Sequence, residues 1–243
     1  MVMTDWVNPT IPPLQISDHT DAVGFLRDTL LHTPHVSVIA LGPLTNLARL
    51  YQISPEAFAQ IEEMVSMGGN YKSHGNCSPV AEYNYWCDPD AANIVYEAFA
   101  SMEGKLLHMI GLDVTRQIVL TPNILQYMRY ANPVMGERIT NITKFYLDFH
   151  WKQEGIIGCV INDPLAVAYF IDRNLCQGFA SYTTVETQGI SIGQTLVDTY
   201  HFWNKPDNSY ILTQTDAYGF MKFFLQRVIN APVTEIEQIL KTN

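Results

Sequence analysis

Three short apolar runs, each followed directly by glycine, place the strongest limit on the folds open to this chain. The runs are Val36–Leu41, Met64–Met67 and Lys105–Ile110. Helix-start signals or helical periodicity follow them, so predicted strands alternate with predicted helices. This alternation predicts an α/β fold with a mostly parallel sheet. The length of 243 residues is enough for one such domain, spanning 1–243, with a full core.

The other elements are predicted from apolar spacing and from residues that typically start helices. A capping residue directly before proline is typical of a helix start, as at Asp88–Pro89, Thr121–Pro122 and Asn162–Asp163–Pro164. The Pro-rich segment Met1–Ser17 predicts irregular structure. The predicted helices are Asp18–Leu31, one from about Leu44, Asp88–Ala100, Thr121–Tyr130, Thr140–Trp151, Leu165–Ile171, Ala217–Val228 and Val233–Leu240. Tyr182–Glu186 and Tyr210–Thr213 are predicted strands, and Gly155–Ile161 is a glycine-flanked apolar segment.

Charge and composition exclude several classes of partner. The net charge is −10 and the pI is about 5.0, which argues against binding a nucleic-acid backbone. No apolar run approaches the length of a membrane span, and the N-terminus has no signal-peptide pattern. The four cysteines show no close paired spacing and predict reduced thiols. We therefore expect a cytoplasmic protein.

The polar stretch from Met67 to Ala92 is the main candidate for a binding site. It begins with the pair Gly68–Gly69 and continues to Glu82 and Asn84, which aromatic residues flank. In an extended segment, Glu82 and Asn84 would point to the same side. An acid beside an amide suits a polyhydroxylated ligand such as a sugar. The alternative is an ordinary polar loop that caps its own helix, and residue chemistry alone leaves both interpretations open.

Three motifs occur in an order that a known family also shows. They are MGGN…GN-x-S…AEYN-x-W-x-DP-x-AA within Met67–Ala92, VSVIALGPLTNLARL at Val36–Leu50, and NDPLAVAY at Asn162–Tyr169. This order resembles the inosine–uridine preferring nucleoside hydrolase (nucleoside N-ribohydrolase) family, with looser similarity over about Asp21–Arg227. The resemblance implies a Rossmann-like sandwich whose active site lies at the C-terminal edge of the strands. It also implies hydrolysis of a purine or pyrimidine ribonucleoside to ribose and free base, a calcium ion, and a homodimer or homotetramer.

The resemblance assigns expected roles to substrate-binding residues. Asn76, Glu82 and Asn84 match residues that contact the ribose. Met67 matches a residue that packs against the sugar, and Tyr83 matches an aromatic residue in the ribose pocket.

The metal and catalytic positions follow from the same resemblance. Asp163 matches an aspartate that binds calcium and substrate, and Leu41 matches a position whose backbone carbonyl binds calcium. Asn162 stands where many members have a histidine that protonates the leaving base. An asparagine can form hydrogen bonds there but delivers no proton near neutral pH.

The family's N-terminal acidic cluster, D-x-D-x-G-x-D-D, is not found in this sequence. In the family it supplies the general base and most carboxylate ligands of calcium, so we expect no general base and an incomplete calcium site. The interpretation is a chain truncated at its N-terminus relative to the family, being either part of a longer hydrolase or a degenerate paralogue. Three functional hypotheses remain: a nucleoside hydrolase, a non-catalytic nucleoside- or ribose-binding paralogue, or a fragment without independent function.

Overall fold

A computed structural model describes residues 21–241 of the chain. The predicted irregular segment Met1–Ser17, and the start of the first predicted helix at Asp18, lie outside the described residues. The first described helix begins at Ala22, and the side chain of Asp21 caps it by accepting a hydrogen bond from the Gly24 N–H at 2.9 Å. In the described part of the chain, no helix combines the length and apolarity needed to cross a membrane.

The described residues form helices, strands and one 3-10 turn at Arg173–Leu175. The helices are α1 (Ala22–His32), α2 (Thr45–Ile53), α3 (Pro55–Phe58), α4 (Tyr83–Cys87), α5 (Pro89–Ala100), α6 (Leu112–Thr115), α7 (Pro122–Ala131), α8 (Pro133–Glu154), α9 (Asn162–Ile171), α10 (Ala217–Ile229) and α11 (Val233–Lys241). The strands are β1 (Val38–Ala40), β2 (Met64–Met67), β3 (Leu107–Ile110), β4 (Val119–Leu120), β5 (Cys159–Val160), β6 (Cys176–Ser181), β7 (Thr183–Val185), β8 (Thr195–Val197) and β9 (Ser209–Thr215).

A five-stranded sheet with the order β1-β2-β3-β9-β6 organises the fold. Its first four strands are parallel, with Val38 opposite Met64, and Leu107 opposite both Met64 and Ser209. The prediction of a mostly parallel sheet is therefore confirmed. The fifth strand, β6, runs antiparallel to β9 and was not predicted. Two further antiparallel pairs, β4-β5 and β7-β8, lie outside this sheet.

Helices cover both faces of the sheet and bury two apolar clusters. Along β2, Val65 and Met67 point into one cluster, while Met64 points into the other, as the two-residue period of a strand requires. The first cluster includes residues of α6, α7, α9 and α10, and the second includes residues of α1, α2, α3 and α5. This three-layer arrangement confirms the expected Rossmann-like sandwich.

Two local predictions around helices were wrong. Helix α8 begins seven residues before the predicted Thr140, because the Asn132 side chain caps it at the Met135 N–H and Pro133 takes the first position. The predicted cap-and-proline start at Asn162–Asp163–Pro164 also differs. Asn162 is already helical and no side chain caps α9, so Asp163 lies in its first turn, still beside the helix N-terminus.

Candidate functional site

The fold brings several of the predicted site residues to one edge of the sheet. Leu41 follows β1, and Met67 ends the neighbouring parallel strand β2, so both lie at the carboxyl ends of strands. Asn162 and Asp163 begin α9, which packs against β1 and β2. They follow β5, which pairs with β4 outside the main sheet. We expected the Asn162–Asp163 motif to follow a strand of the parallel sheet, and that expectation was wrong.

A glycine turn after β2 fits closely around a buried tyrosine. A Cβ atom at Gly68 would lie 2.3 Å from the ring of Tyr85, and Gly69 has a φ of 72°. The Tyr85 hydroxyl hydrogen-bonds Ser66 at 3.0 Å and the Tyr96 hydroxyl at 3.1 Å. Burial raises the pKa of Tyr85, so its hydroxyl remains protonated. The turn therefore requires glycine and rests on a neutral, hydrogen-bonded aromatic residue.

Glu82 is a buried carboxylate, 2% exposed, that joins this turn to α4. Its oxygens accept hydrogen bonds from the N–H groups of Gly69 at 2.9 Å, Asn84 at 2.9 Å and Tyr85 at 3.2 Å. Burial raises the pKa of Glu82, the three N–H groups oppose that rise, and the charge of Asp163 adds to it.

The prediction that Glu82 and Asn84 lie in an extended segment was wrong. Residues Tyr83–Cys87 form the short helix α4, and Glu82 is its N-cap. The two residues are still joined, because the Glu82 carboxylate accepts the backbone N–H of Asn84, and both residues are buried. The alternative interpretation, a polar loop that caps its own helix, therefore describes the local structure, and it does not exclude binding.

The other predicted ribose contacts surround Glu82. The side-chain amide of Asn84 donates to the Met67 carbonyl at 2.9 Å and approaches the Met67 sulfur at 3.4 Å. The Asn76 side-chain oxygen accepts the Tyr83 N–H at 2.9 Å. Tyr83 itself is 56% exposed. We call Met67, Gly69, Glu82 and Asn84 the Glu82 side of the site.

Leu41, Asn162 and Asp163 form what we call the Asp163 side of the site. The side-chain oxygen of Asn162 is buried and has no hydrogen-bond partner among the described residues, a situation it shares with Asn70, Thr115 and Arg173. The Asp163 side chain is exposed and forms no hydrogen bond or ion pair within residues 21–241. The surrounding protein nevertheless raises the pKa of Asp163 through desolvation, so the carboxylate is accessible but not fully hydrated.

The described residues do not by themselves fit a calcium ion. Calcium takes six to eight oxygen ligands, several of them usually carboxylates. The Asp163 side offers one carboxylate and the backbone carbonyl of Leu41. Between residues 21 and 241, no three or more His, Cys, Asp or Glu side chains are grouped closely enough to hold a metal ion. No reaction step through a metal can therefore be built from these residues alone.

Two charged residues near the site were not identified from the sequence. Asp113 accepts hydrogen bonds from the N–H groups of Tyr71, Lys72 and Ser73, and Arg116 donates to the same loop. Asp113 and Arg116 follow Gly111, the glycine after β3, and are three residues apart. In a helical turn this spacing places two side chains on the same side, so it could have indicated that both contact one neighbouring segment. Their partners lie 40 to 43 residues earlier, which no local pattern reveals.

Comparison with known proteins relates this arrangement to one family. The model of the family described as "Inosine-uridine preferring nucleoside hydrolase" matches residues 6–222. The match begins upstream of the range that the motifs predicted and ends close to it. The chain is 32% identical over 225 residues to the pyrimidine-specific ribonucleoside hydrolase RihA of Salmonella arizonae, covering 90% of this chain and 70% of that protein. It is 31% identical over 188 residues to uridine nucleosidase 1 of Arabidopsis thaliana, covering 77% and 54%.

Solved structures show the same likeness. The purine-preferring ribonucleoside hydrolase from Gardnerella vaginalis has a TM-score of 0.78 and 29% identity, covering 86% of this chain and 66% of that chain. A plant nucleoside hydrolase has a TM-score of 0.79 and 25% identity, covering 88% and 68%. The chain thus spans between about half and 70% of the length of these four relatives.

Proposed function

The chain belongs to the inosine-uridine preferring nucleoside hydrolase family, and from that premise we propose that it acts on a ribonucleoside, hydrolysing its N-glycosidic bond to release ribose and free base. The observation that carries the proposal is the Glu82 side, where residues matching the family's ribose contacts converge at the carboxyl end of β2. The relatives include a pyrimidine-specific and a purine-preferring hydrolase, so the proposed substrate class is a purine or pyrimidine ribonucleoside.

The chemistry explains why a fixed ribose site matters. Cleavage of the bond develops positive, oxocarbenium-like charge on the sugar. A carboxylate has about four lone-pair sites, and backbone N–H groups use three of those on Glu82. One site remains to accept a ribose hydroxyl, and the negative charge nearby favours the cationic sugar. Asn84 and Asn76 add amide groups that can bond the other hydroxyls.

Calcium is the proposed metal, on the strength of the family likeness. Asp163 and the Leu41 carbonyl would contribute two of its oxygen ligands. The remaining ligands would be water molecules, substrate hydroxyls and groups outside residues 21–241. The general base that activates water would also be a group outside residues 21–241.

Asn162 is the proposed hydrogen-bonding partner of the leaving base. Since it carries no titratable proton, it would polarise the base without protonating it. The homodimeric or homotetrameric state and the cytoplasmic location also remain proposals from the resemblance.

The test measures ribose release from uridine and inosine by the full chain, with calcium and after chelation. Asp163→Ala is expected to abolish calcium-dependent release. Asp90→Ala is the matched control, because Asp90 is also an exposed acid in the first turn of a helix, α5. Release that persists in Asp163→Ala would contradict the role given to that residue.

The second candidate function, a non-catalytic binder, is favoured by the incomplete donor set of the Asp163 side. Calorimetry with uridine and inosine separates the two functions. Binding without release, weakened by Asn84→Ala, would support the binder. Neither binding nor release at millimolar nucleoside would overturn both.

A further inference from the structure

Residues 70–76, here called the Asn76 loop, run from the glycine turn to Asn76. Asp113 of α6 forms hydrogen bonds to the first half of this loop. The Asp113 carboxylate accepts hydrogen bonds from three successive backbone N–H groups, those of Tyr71 at 2.6 Å, Lys72 at 2.8 Å and Ser73 at 2.9 Å. Successive N–H groups that converge in this way form a concave binding site for an anion. In this loop the chain's own carboxylate occupies that site.

Arg116 holds the second half of the same loop. Its guanidinium donates to the Ser73 hydroxyl, to the His74 carbonyl, and to the Gly75 carbonyl at 3.0 Å. Its Nε atom lies 3.6 Å from a carboxylate oxygen of Glu154, the last residue of α8. The Arg116 and Glu154 side chains are only 16% and 21% exposed, so solvent screens this pair less than it would a surface pair.

The two charges match the two kinds of peptide group that the loop presents. N–H groups face the carboxylate in its first half, and carbonyl groups face the guanidinium in its second half. Helix α6 follows strand β3 after a single residue, Gly111, and its Leu112 N–H donates to the carbonyl of Gly69 in the glycine turn at 3.0 Å. The loop therefore takes its position from the sheet through α6.

The end of this loop determines where Asn76 lies. The Asn76 N–H donates to the Ala81 carbonyl at 3.1 Å, and its side-chain oxygen accepts the Tyr83 N–H at 2.9 Å. Seven residues separate Glu154 from Asn162 along the chain. The Arg116–Glu154 pair therefore ties the loop that carries Asn76 to the segment that leads to the Asp163 side.

We propose that Asp113 and Arg116 are positioning residues for the ribose-binding part of the site: together they hold the Asn76 loop so that Asn76 reaches the start of α4. The consequence for ribonucleoside binding rests on the proposed function, whereas the effect on the loop does not. Neither residue needs to touch the substrate. Their removal should therefore weaken ground-state binding more than it slows any bond-breaking step.

The first experiment follows amide hydrogen exchange in the full chain for wild type and Asp113→Asn. An asparagine keeps the size of the side chain but offers one acceptor oxygen in place of two. Exchange of the Tyr71–Ser73 amides and of the Tyr83 amide is expected to accelerate by about tenfold or more. Arg116→Lys, which keeps the charge but loses the planar fork, should accelerate the Tyr83 amide less. If Tyr83 protection stays at the wild-type level in Asp113→Asn, the proposal is overturned.

Asp198→Asn is the matched control. Asp198 accepts the N–H groups of Phe202 and Trp203, each at 2.8 Å. Its loop, residues 198–204, leads toward Asn208, which bonds the start of β3 at the other end of the sheet. This control should loosen its own loop and leave the Tyr83 amide unchanged. Acceleration of Tyr83 in Asp198→Asn would show general loosening and would contradict specific positioning.

The second readout is the affinity for uridine and inosine by calorimetry. Asp113→Asn is expected to raise Kd, or KM where turnover is measurable, by about tenfold with kcat changed less than about twofold. An unchanged affinity beside a loosened loop would overturn the positioning role. If wild type binds no nucleoside, the proposed function fails, and the exchange of the Tyr83 amide still decides whether Asp113 positions Asn76.

Discussion

On the Glu82 side of the site, three backbone N–H groups donate to one buried carboxylate, whereas on the Asp163 side a carboxylate and a buried amide oxygen have no partner within residues 21–241. Leu41 of the Asp163 side and Met67 of the Glu82 side lie at the carboxyl ends of the neighbouring strands β1 and β2. Folding therefore fixes the geometry of the first side but not the polar partners of the second.

This difference shows for which side of the site the described residues supply the hydrogen-bond partners themselves. Buried polar groups in folded proteins are nearly always hydrogen-bonded, so the Asn162 oxygen, like the buried polar atoms of Asn70, Thr115 and Arg173, requires a partner such as water that the described residues do not supply. A ligand, a metal with its waters, or further protein groups would fit that requirement. On the Glu82 side, by contrast, the carboxylate and the Asn84 amide already form hydrogen bonds within the chain.

The largest expected effect comes from Glu82→Gln. A glutamine offers one acceptor oxygen in place of two, so one or two of the three buried N–H groups lose their acceptor and face an NH2 group instead. We expect the free energy of unfolding to fall by about 3 kcal/mol, measured by urea denaturation. Glu186→Gln is the control, because Glu186 accepts only one exposed backbone N–H. Similar losses in both variants would break the comparison.

The next largest effect on stability is expected from replacing Gly68, with Gly42 as the control. An alanine at Gly68 would place its Cβ against the buried ring of Tyr85, so Gly68→Ala should lower the unfolding free energy by about 2 kcal/mol. At Gly42, next to Leu41, an added Cβ meets nothing within 4 Å. Gly42→Ala should therefore be neutral or slightly stabilising. Equal losses of stability in thermal melts of Gly68→Ala and Gly42→Ala would mean that the chain is packed equally tightly around both glycines.

Asp163→Asn should change stability very little at neutral pH, by about 0.5 kcal/mol or less, because no hydrogen bond is lost. The folded-state pKa of Asp163 is raised above its usual value of 3.8. The folded state therefore holds this proton at a higher pH than the unfolded state, and wild-type stability from this group falls as pH rises from 3.8 to the folded pKa. The variant should lack that fall, which denaturation at several pH values can measure. A marked loss of stability at pH 7 would reveal a partner for Asp163.

The smallest effect concerns coupling between the two sides. The Asp163 charge helps to raise the pKa of Glu82, so Asp163→Asn should lower it. Carboxyl-carbon NMR titration measures that pKa directly. Asp90→Asn, which changes an exposed acid in α5, is the control and should leave it unchanged. No shift in Asp163→Asn would place the two carboxylates in separate sites.

Much of the fold could be predicted because its signals are local. The observed strand β2 has the predicted bounds, and α5 and α7 begin as the cap-and-proline signals indicate, with Asp88 and Thr121 as caps. In both helices the capped N–H lies only three residues from the cap. Such a contact depends on the neighbouring sequence and on little else.

The parts that could not be predicted depend on residues far apart in the chain. The place of strand β9 in the sheet, between β3 and β6, was not predicted. It depends on pairing between residues about 100 positions apart, such as Leu107 and Ser209. Helix α4 was missed because Glu82, which is not a common cap, also needs the distant Gly69 N–H to complete its bonds. The motifs identified the residues of the Glu82 side, but not the helix that arranges them.

The position of β9 has a consequence for the order in which the molecule can fold. Strands β1, β2 and β3 and the Glu82 side all lie between residues 38 and 110, so they are synthesised before β9. The strand that covers the edge of β3 follows about 100 residues later. Until Ser209–Thr215 leaves the ribosome, the β3 edge is open to pairing with other chains. We therefore expect aggregation during synthesis to depend on how quickly this one late strand arrives.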